Sequence, residues 1–397
     1  MGESHEFVVR VFPHISGISE SGWNSCANPV DAKFNPFVSY AFLNALEKSG
    51  CVSGRTGWQP QHLALETNKG ELLACMPNYL KSNSYGEYIF DHGWAEAFEN
   101  AGGDYYPKLQ CAVPFTPVQG NRLLVTEGQN HDEYERLLAS AAVQLTDRLE
   151  ASSLHITFLT PGEWDRLGEL GFLKRKAQQF HWHNRGYETF EDFLEDLSSR
   201  KRKMIRRERR DALANDIKIQ WVTGSDITED HWDHFFDFYE DTGSRKWGMP
   251  YLNRNFFSLV GETMANDILL IMCTRNGQYI GGALNFIGGE TLYGRYWGCR
   301  ENHNFLHFET CYYQAIEFAI LNGLRYVEAG AQGPHKLARG YMPQTMYSVH
   351  YISHGSFRKA IADFLHREQQ YLELEQNALR SHSPFSKKSL SKTDKFK

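Results

Sequence analysis

The 397-residue chain is 41% apolar and 23% charged, with 26 Phe, 20 Tyr and 9 Trp; this excludes global disorder and a single small domain, and at about 100–200 residues per domain it argues for two. The net charge is −6, yet Arg200–Arg210 holds eight basic residues and one glutamate, which points to an anionic partner near that segment. Seven dispersed cysteines without a CxxC pair fit a reduced compartment better than a disulfide framework or a zinc site, and the longest apolar run, Ile268–Cys273, is far too short to span a membrane. With an N-terminus lacking a signal-peptide stretch, the expectation is a cytoplasmic protein with no transmembrane segment.

In chain order, FVVRVF (7–12) alternates as a strand and leads into SGISESGW (16–23). Asn35 and Pro36, as N-cap and first helical residue, predict a helix over FVSYAFLNALEKSG. LALETNKGELLACMPNYL (63–80) reads as a β-hairpin turning at Asn68-Lys69-Gly70. The basic segment RKRKMIRRERR (200–210) reads as a helix and precedes a strand, IKIQWV (217–222), followed by SDITEDHW (225–232). Asn253 caps a helix over RNFFSLVGETM, and LIMCTRNGQYIGGALNFI (270–287) forms a second hairpin at Asn276-Gly277. The two hairpins align without gaps at an offset of 207, and the two segments after the first strands align at 209, with Ser16, Ile18, Glu20 and Trp23 matching Ser225, Ile227, Glu229 and Trp232. Two matches in the same order argue for a duplicated domain.

A further strand, TLYGRYWG (291–298), then leads into a helix over 304–321, a short strand RYVEAG, a Gly-rich basic loop AQGPHKLARGY (331–341), a strand TMYSVHYI (345–352) and a helix over 357–379. Strand, helix, antiparallel meander, helix and two strands is an α+β order. From Arg380 the periodicity fades, predicting a flexible basic tail over 380–397.

This order resembles the GNAT acyltransferase fold, and two such halves in tandem resemble the FemABX peptidoglycan-branching transferases, in particular the FemAB-like N-acyltransferases. The resemblance covers roughly residues 35–370 and rests on YGEYIFDHGW (85–94), YYPKLQCAVPFTPVQGNRLLV (105–125), SSRKRKMIRRERR (198–210), YGRYWG (293–298), HFE (307–309) and EAGAQGPHKLARGY (328–341). It implies an α+β fold of two tandem GNAT-like (acyl-CoA N-acyltransferase) domains, residues 1–175 and 176–379, each a mixed, mostly antiparallel sheet flanked by helices. The implied activity is acyl or aminoacyl transfer onto an amine acceptor, a cell-envelope precursor in the family, without a covalent enzyme intermediate. No GxSxG elbow is present. The acetyl-CoA signature Q/R-x-x-G-x-G/A is absent from the turn after YGRYWG, and its one formal match, QYIGGA, lies inside a hairpin strand. The donor is therefore aminoacyl-tRNA, with Arg200–Arg210 as its contact, or an acyl-CoA bound by an atypical loop; no tightly held cofactor or metal is expected. A different class of function stays open, a catalytically silent RNA-binding or regulatory protein on the same fold.

Candidate catalytic residues are Glu328, at a strand's C-terminal end, as base or as partner of a lysine; Lys336, in a glycine-flanked loop outside the core; and His307, at the start of the helix after YGRYWG, as site residue or cap. Candidate binding residues beside them are Arg339, three positions after Lys336, and Glu309, which also suits the helix dipole. Arg295 and Trp297 share one strand face by the period of two. Asp91, His92, Trp94 and Lys108 are acceptor-side candidates, with Lys108 meeting precursor phosphates as the resemblance implies. Arg245, Lys246 and Trp247 offer a basic and aromatic surface.

Overall fold

The computed structural model describes residues 7–246, 250–330 and 333–386. Its strands up to residue 183 are β1 (Phe7–Phe12), β2 (Trp58–Pro60), β3 (His62–Thr67), β4 (Leu72–Met76), β5 (Asn78–Lys81), β6 (Lys108–Cys111), β7 (Leu124–Val125), β8 (Ser153–Leu159) and β9 (Leu173–His183). The helices among them are α1 (Glu20–Ala27), α2 (Tyr40–Lys48), α3 (His92–Asn100), α4 (His131–Arg148) and α5 (Pro161–Glu169). Then come α6 (Phe190–Asp196), α7 (Ser199–Ala212), β10 (Lys218–Thr223), α8 (Glu229–Lys246), α9 (Arg254–Met264), β11 (Ile268–Arg275), β12 (Gln278–Ile287) and β13 (Thr291–Cys299). The chain closes with α10 (Leu306–Phe308), a π-helical turn (Glu309–Tyr313), α11 (Gln314–Leu321), β14 (Tyr326–Glu328), a 3-10 turn (Pro334–Arg339), β15 (Met342–Ile352) and α12 (Gly355–Ser381). Two compact units result: residues 1–177 with 345–373, and residues 178–344 with 374–397. Both are α+β, with mixed, mostly antiparallel sheets and flanking helices.

In the first unit β1, β3, β4 and β7 form one antiparallel sheet, and the C-terminal part of β15 continues through β8, β6 and β5 to β2 in a second. β6 and β8 run parallel, Leu109 opposite Leu154 and Cys111 opposite Ile156, as a helical crossover through α4 requires. One face of the second sheet is conventional: Leu109, Cys111, Leu154, Ile156 and Val349 pack into the core with Leu138, Ala142 and Leu145 of α4. Its other face is polar and just as buried. Lys81, Lys108, Gln110, Ser153, His155, Thr157, Ser348 and His350 alternate with the apolar set yet expose at most 2% of their surface.

In the second unit the order is β10-β11-β12-β13-β14-β9, antiparallel except for β13 beside β14. Its core joins Leu269, Ile271 and Leu292 of the sheet to Ile316 and Ala319 of α11 and Ile205 of α7. Both hairpins turn where expected, Gly70 and the Asn276-Gly277 pair supplying positive φ, and each carries a register shift near the turn, at Leu65/Glu66 and Cys273/Thr274.

Three local expectations are revised. Asn35 caps only a 3-10 turn, Pro36–Val38; α2 starts later because Ser39 breaks the run in an extended conformation and accepts the Phe42 N–H at 3.3 Å. The glycine-rich loop contains the 3-10 turn with Leu337 buried, so it is folded into the unit. Residues 380–386, expected to begin the tail, are docked: the Ser198 N–H reaches the Pro384 carbonyl at 2.9 Å, and Phe385 is buried in the core of the second unit.

Candidate active site

The second unit opens where its two parallel strands part. β14 pairs with β13 over three residues, Thr291 to Tyr293 against Tyr326 to Glu328, and stops, while β13 runs on to Cys299. A β-bulge sits at this point. Leu284 faces Tyr296 and Asn285 faces Gly294, which leaves Arg295 unmatched. Beyond the bulge the alternation holds between neighbours, Tyr296 packing on Tyr239 of α8 with ring centroids 5.0 Å apart and Trp297 packing on His307 at 5.6 Å. Together with Arg295, Asn285 and Ala329, the residues Tyr296, Trp297 and His307 border a cavity of about 100 Å³. Gly294 keeps it open: a Cβ there would stand 3.3 Å from both the Asn285 Oδ1 and the Glu328 carbonyl oxygen.

Two acceptors are left over beside this notch. Asn285 donates through Nδ2 to the Leu269 carbonyl at 3.2 Å, which fixes its amide orientation and leaves Oδ1 buried without a hydrogen-bond partner. The Glu328 Oε2 is likewise buried and without a hydrogen bond, while Oε1 stands 3.7 Å from His181 Nδ1. Burial pushes the Glu328 carboxyl up to about 8, against the lowering pull of Arg295. Burial holds His181 down at about 3, so it is a neutral neighbour.

Lys336 is expected outside the core and is in fact 2% exposed. Its ammonium donates to the carbonyls of Ala329 and Gly330, the two residues after Glu328, and burial lowers it to about 8. Arg339 lies just beyond, in a fork on Glu208 of α7 at 2.8 Å and 3.5 Å from the Phe308 ring centroid. Glu309 is completely buried in the π turn and held by Arg209 at 2.9 Å and by Gln314 at 2.7 Å. These two candidates are thus engaged by α7 and are not presented to a ligand. His307 lines the notch, its ring 5.6 Å from Trp297 and 5.4 Å from Tyr312.

The basic helix divides its charges. Arg202 caps the α6 end by donating to the Leu194 and Leu197 carbonyls, Arg206 meets Glu191, and Arg209 holds Glu309 and Glu317. Arg200, Lys203, Arg207 and Arg210, spaced by three and four residues, are exposed along one side.

In the first unit the structure brings Asp91, Trp94 and Lys108 together. Lys108 is fully buried and donates to Ser84 Oγ at 2.8 Å, Glu87 Oε2 at 2.7 Å and Asp91 Oδ2, so its three protons are used and none is left for a phosphate. Burial opposes its charge, but Glu87 and Asp91 keep its pKa raised. From Asp91 the chain of contacts runs through the Tyr105 hydroxyl at 2.7 Å and on to His155, whose Nδ1 lies 2.7 Å from the His350 Nδ1. Burial drives His155 down to about 3 and holds His350 well below the ordinary imidazole value, so both are neutral and of opposite tautomer. Lys81, lowered by burial to about 7, sits 3.6 Å from the Trp58 ring centroid. His92 is exposed and stands apart from the cluster. Sequence reading missed Glu87, Lys81, Tyr105, His155 and His350. The signal available was the run of polar residues at alternate strand positions, which ordinarily marks a solvated face. Trp247 lies outside the described residues, as do the side chains of Arg245 and Lys246. Among the described residues, one group has metal-ligand spacing, His131, Asp132 and Glu135, and Arg166 takes both Glu135 oxygens at 2.6 Å.

No helix among the described residues is long and apolar enough to cross a membrane. Solved structures of similar fold include FemX, 12% identical with a TM-score of 0.52 over 90% of this chain and 100% of that one. A conserved protein of unknown function from Bacteroides thetaiotaomicron is 11% identical, TM-score 0.51, over 86% and 99% of the two chains. L-PGS from Bacillus licheniformis is 8% identical, TM-score 0.50, over 84% and 97%. At these identities the likeness is one of fold. No curated protein matches the sequence. The profile of the FemAB-like family, described as peptidoglycan biosynthesis/recognition, matches residues 14–387. A match over nearly the whole chain places the protein in the FemAB-like family.

Proposed function

We propose that the protein is an N-acyltransferase of cell-envelope precursor synthesis in the cytoplasm, built from two duplicated GNAT-like halves that divide near residue 175. The observation that carries this reading is the Glu328 carboxylate, buried where β13 and β14 part, with an unpartnered oxygen and a pKa raised to about 8. An amine brings N–H donors to the two spare acceptors, Glu328 Oε2 and Asn285 Oδ1. The amine nitrogen attacks the acyl carbon, forming the C–N bond. Glu328 takes the proton released by the attacking nitrogen and returns it to the leaving oxygen or sulfur as the C–O or C–S bond to the donor breaks. Lys336 acts as a positioning residue, clamping the turn directly after Glu328 through two carbonyls.

The exposed stripe Arg200, Lys203, Arg207 and Arg210 supports an aminoacyl-tRNA donor over an acyl-CoA, since clustered cations on one helix side suit a phosphate backbone. The test is amide formation. Purified protein is given charged tRNA or acyl-CoAs with a panel of envelope-precursor amines, and products are read by mass spectrometry. The expected result is an amide from charged tRNA, with Glu328→Gln slower by about 100-fold or more. Absence of product from every donor, with tRNA binding retained, would replace this reading by the non-catalytic RNA-binding one.

A further inference from the structure

Glu328 has a neighbour whose proton is fixed in place. It closes β14 directly opposite His181 of β9 in the antiparallel register, so the two side chains leave the sheet on the same face. Gln179 lies two residues before His181 on that face, and the two are 4% and 5% exposed. The His181 Nε2 stands 3.2 Å from the Gln179 Oε1. An amide oxygen can only accept, so Nε2 carries the proton of the neutral imidazole and Nδ1 is a bare lone pair. That lone pair is what Glu328 meets, Nδ1 and Oε1 facing each other at 3.7 Å. Two acceptors make no hydrogen bond while the carboxyl is ionised, whereas a proton on Oε1 gives Nδ1 a donor to accept. The imidazole does not relieve this by charging, because burial, His183 two positions along and the Lys336 ammonium hold it down at about 3. The remaining charged neighbour is Arg295 of β13, which pulls toward the carboxylate. Against that pull the ionised form has no donor on either oxygen: Oε2 is buried without a hydrogen-bond partner, and Oε1 looks onto the lone pair.

We propose that Gln179 and His181 are positioning residues for Glu328, a tautomer lock that withholds a hydrogen-bond donor from the carboxylate and so keeps it strongly basic. The proposal rests on the reading of Glu328 as the base and names what tunes it. A glutamate of ordinary basicity is a weak acceptor for the proton of an attacking amine, and a base works best with its proton affinity near the operating pH. Burial alone raises that affinity, but a buried carboxylate that gains even one donor loses much of the rise. The lock prevents that gain: with Gln179 holding the proton on Nε2, His181 presents its acceptor side to Glu328 and cannot turn a donor toward it.

The experiment is an NMR titration of the glutamate side-chain carboxyls in the full chain, carbon-13 labelled at Cδ, with Glu328→Gln identifying the Glu328 signal by its loss. In the unaltered protein that signal should titrate at about 8. Two variants of similar size remove the lock from its two ends. Gln179→Met takes away the acceptor that fixes the proton on Nε2, and His181→Asn puts an amide, which can turn a donor to the carboxylate, in place of the imidazole. Each should lower the Glu328 titration by about one pH unit or more. In single-turnover acyl transfer the plateau should move down by the same interval while the limb below it keeps its slope, a change that loosened packing alone does not produce. His183→Gln, on the same strand face but away from Glu328 in the register, should leave the titration in place. An unchanged or raised titration in either folded variant would overturn the lock and leave Glu328 standing as the base. A lowered titration together with a transfer rate indifferent to Glu328→Gln would keep the lock and remove the base.

Discussion

Glu309 and Glu328 are both acidic residues in the second unit, and their surroundings decide their chemistry. Glu309 is fixed by an arginine fork and an amide, so its charge is spent on holding α7 to the π turn. Glu328 has a neutral histidine on one side and nothing on its second oxygen, so burial dominates and its pKa rises to about 8. The consequence for stability has a definite sign. Between about pH 4.5, where an ordinary glutamate ionises, and pH 8, the folded chain holds a proton that the unfolded chain has lost, so this group's contribution falls as pH rises. Melting temperatures of the unaltered protein and Glu328→Gln, compared from pH 5 to 8, should therefore diverge with the variant gaining, by up to about 1.4 kcal/mol per pH unit. A constant difference across that range would mean that the carboxylate ionises normally. Neither the notch nor this shift was readable from sequence. The residue was, because a carboxylate before Ala-Gly at a strand end is conspicuous, but its isolation depends on the bulge at Arg295, which no periodicity announces.

At the scale of elements, the polar face of β5, β6, β8 and β15 is the feature that the sequence conceals. Alternation was legible and the apolar set was correctly legible as core, but Lys108, His155 and His350 at the intervening positions imitate a solvated face. Segment 84–106 covers that face, bringing Glu87, Asp91 and Tyr105 to satisfy it, and nothing in the local pattern gives this away. The two buried histidines make the unit acid-sensitive. Both are neutral in the fold and bind protons near pH 6.5 when unfolded, so stability is retained above that value and lost as pH falls toward 3. A scan of melting temperature from pH 7 to 4 should show a steep acid limb that His155→Gln/His350→Gln flattens. An unchanged limb in a folded double variant would assign the acid sensitivity to the carboxylates instead. The helix and hairpin order was read nearly to the residue in β1, α9 and the second hairpin, where caps and turn residues are strong. It failed at α2, where a second cap, Ser39, competes with the first.

At the scale of the whole molecule, charge and family point in the same direction. The net charge of −6 disguises α7, whose eight basic residues are divided between the fold and the surface. Arg202, Arg206 and Arg209 are tied to neighbouring elements, so the sequence overstated the free charge, while Arg200, Lys203, Arg207 and Arg210 are exposed on one side, the last two sharing Asp211 of the same helix. Reversing those four to glutamate should abolish the salt-dependent part of tRNA affinity and leave the melting temperature within a few degrees, since none is buried. Retention of the full salt slope in filter binding would remove α7 from the donor site.

The most direct test of the central claim is the pH dependence of a single turnover of acyl transfer to a precursor amine, in the unaltered protein and in Glu328→Gln. With Glu328 as the base, the rate rises about tenfold per pH unit below its pKa and levels near pH 8, and the variant loses that limb together with at least 100-fold of the rate. A variant with the same profile and comparable rates would contradict the account, because the proton of the attacking amine would then be leaving by another route.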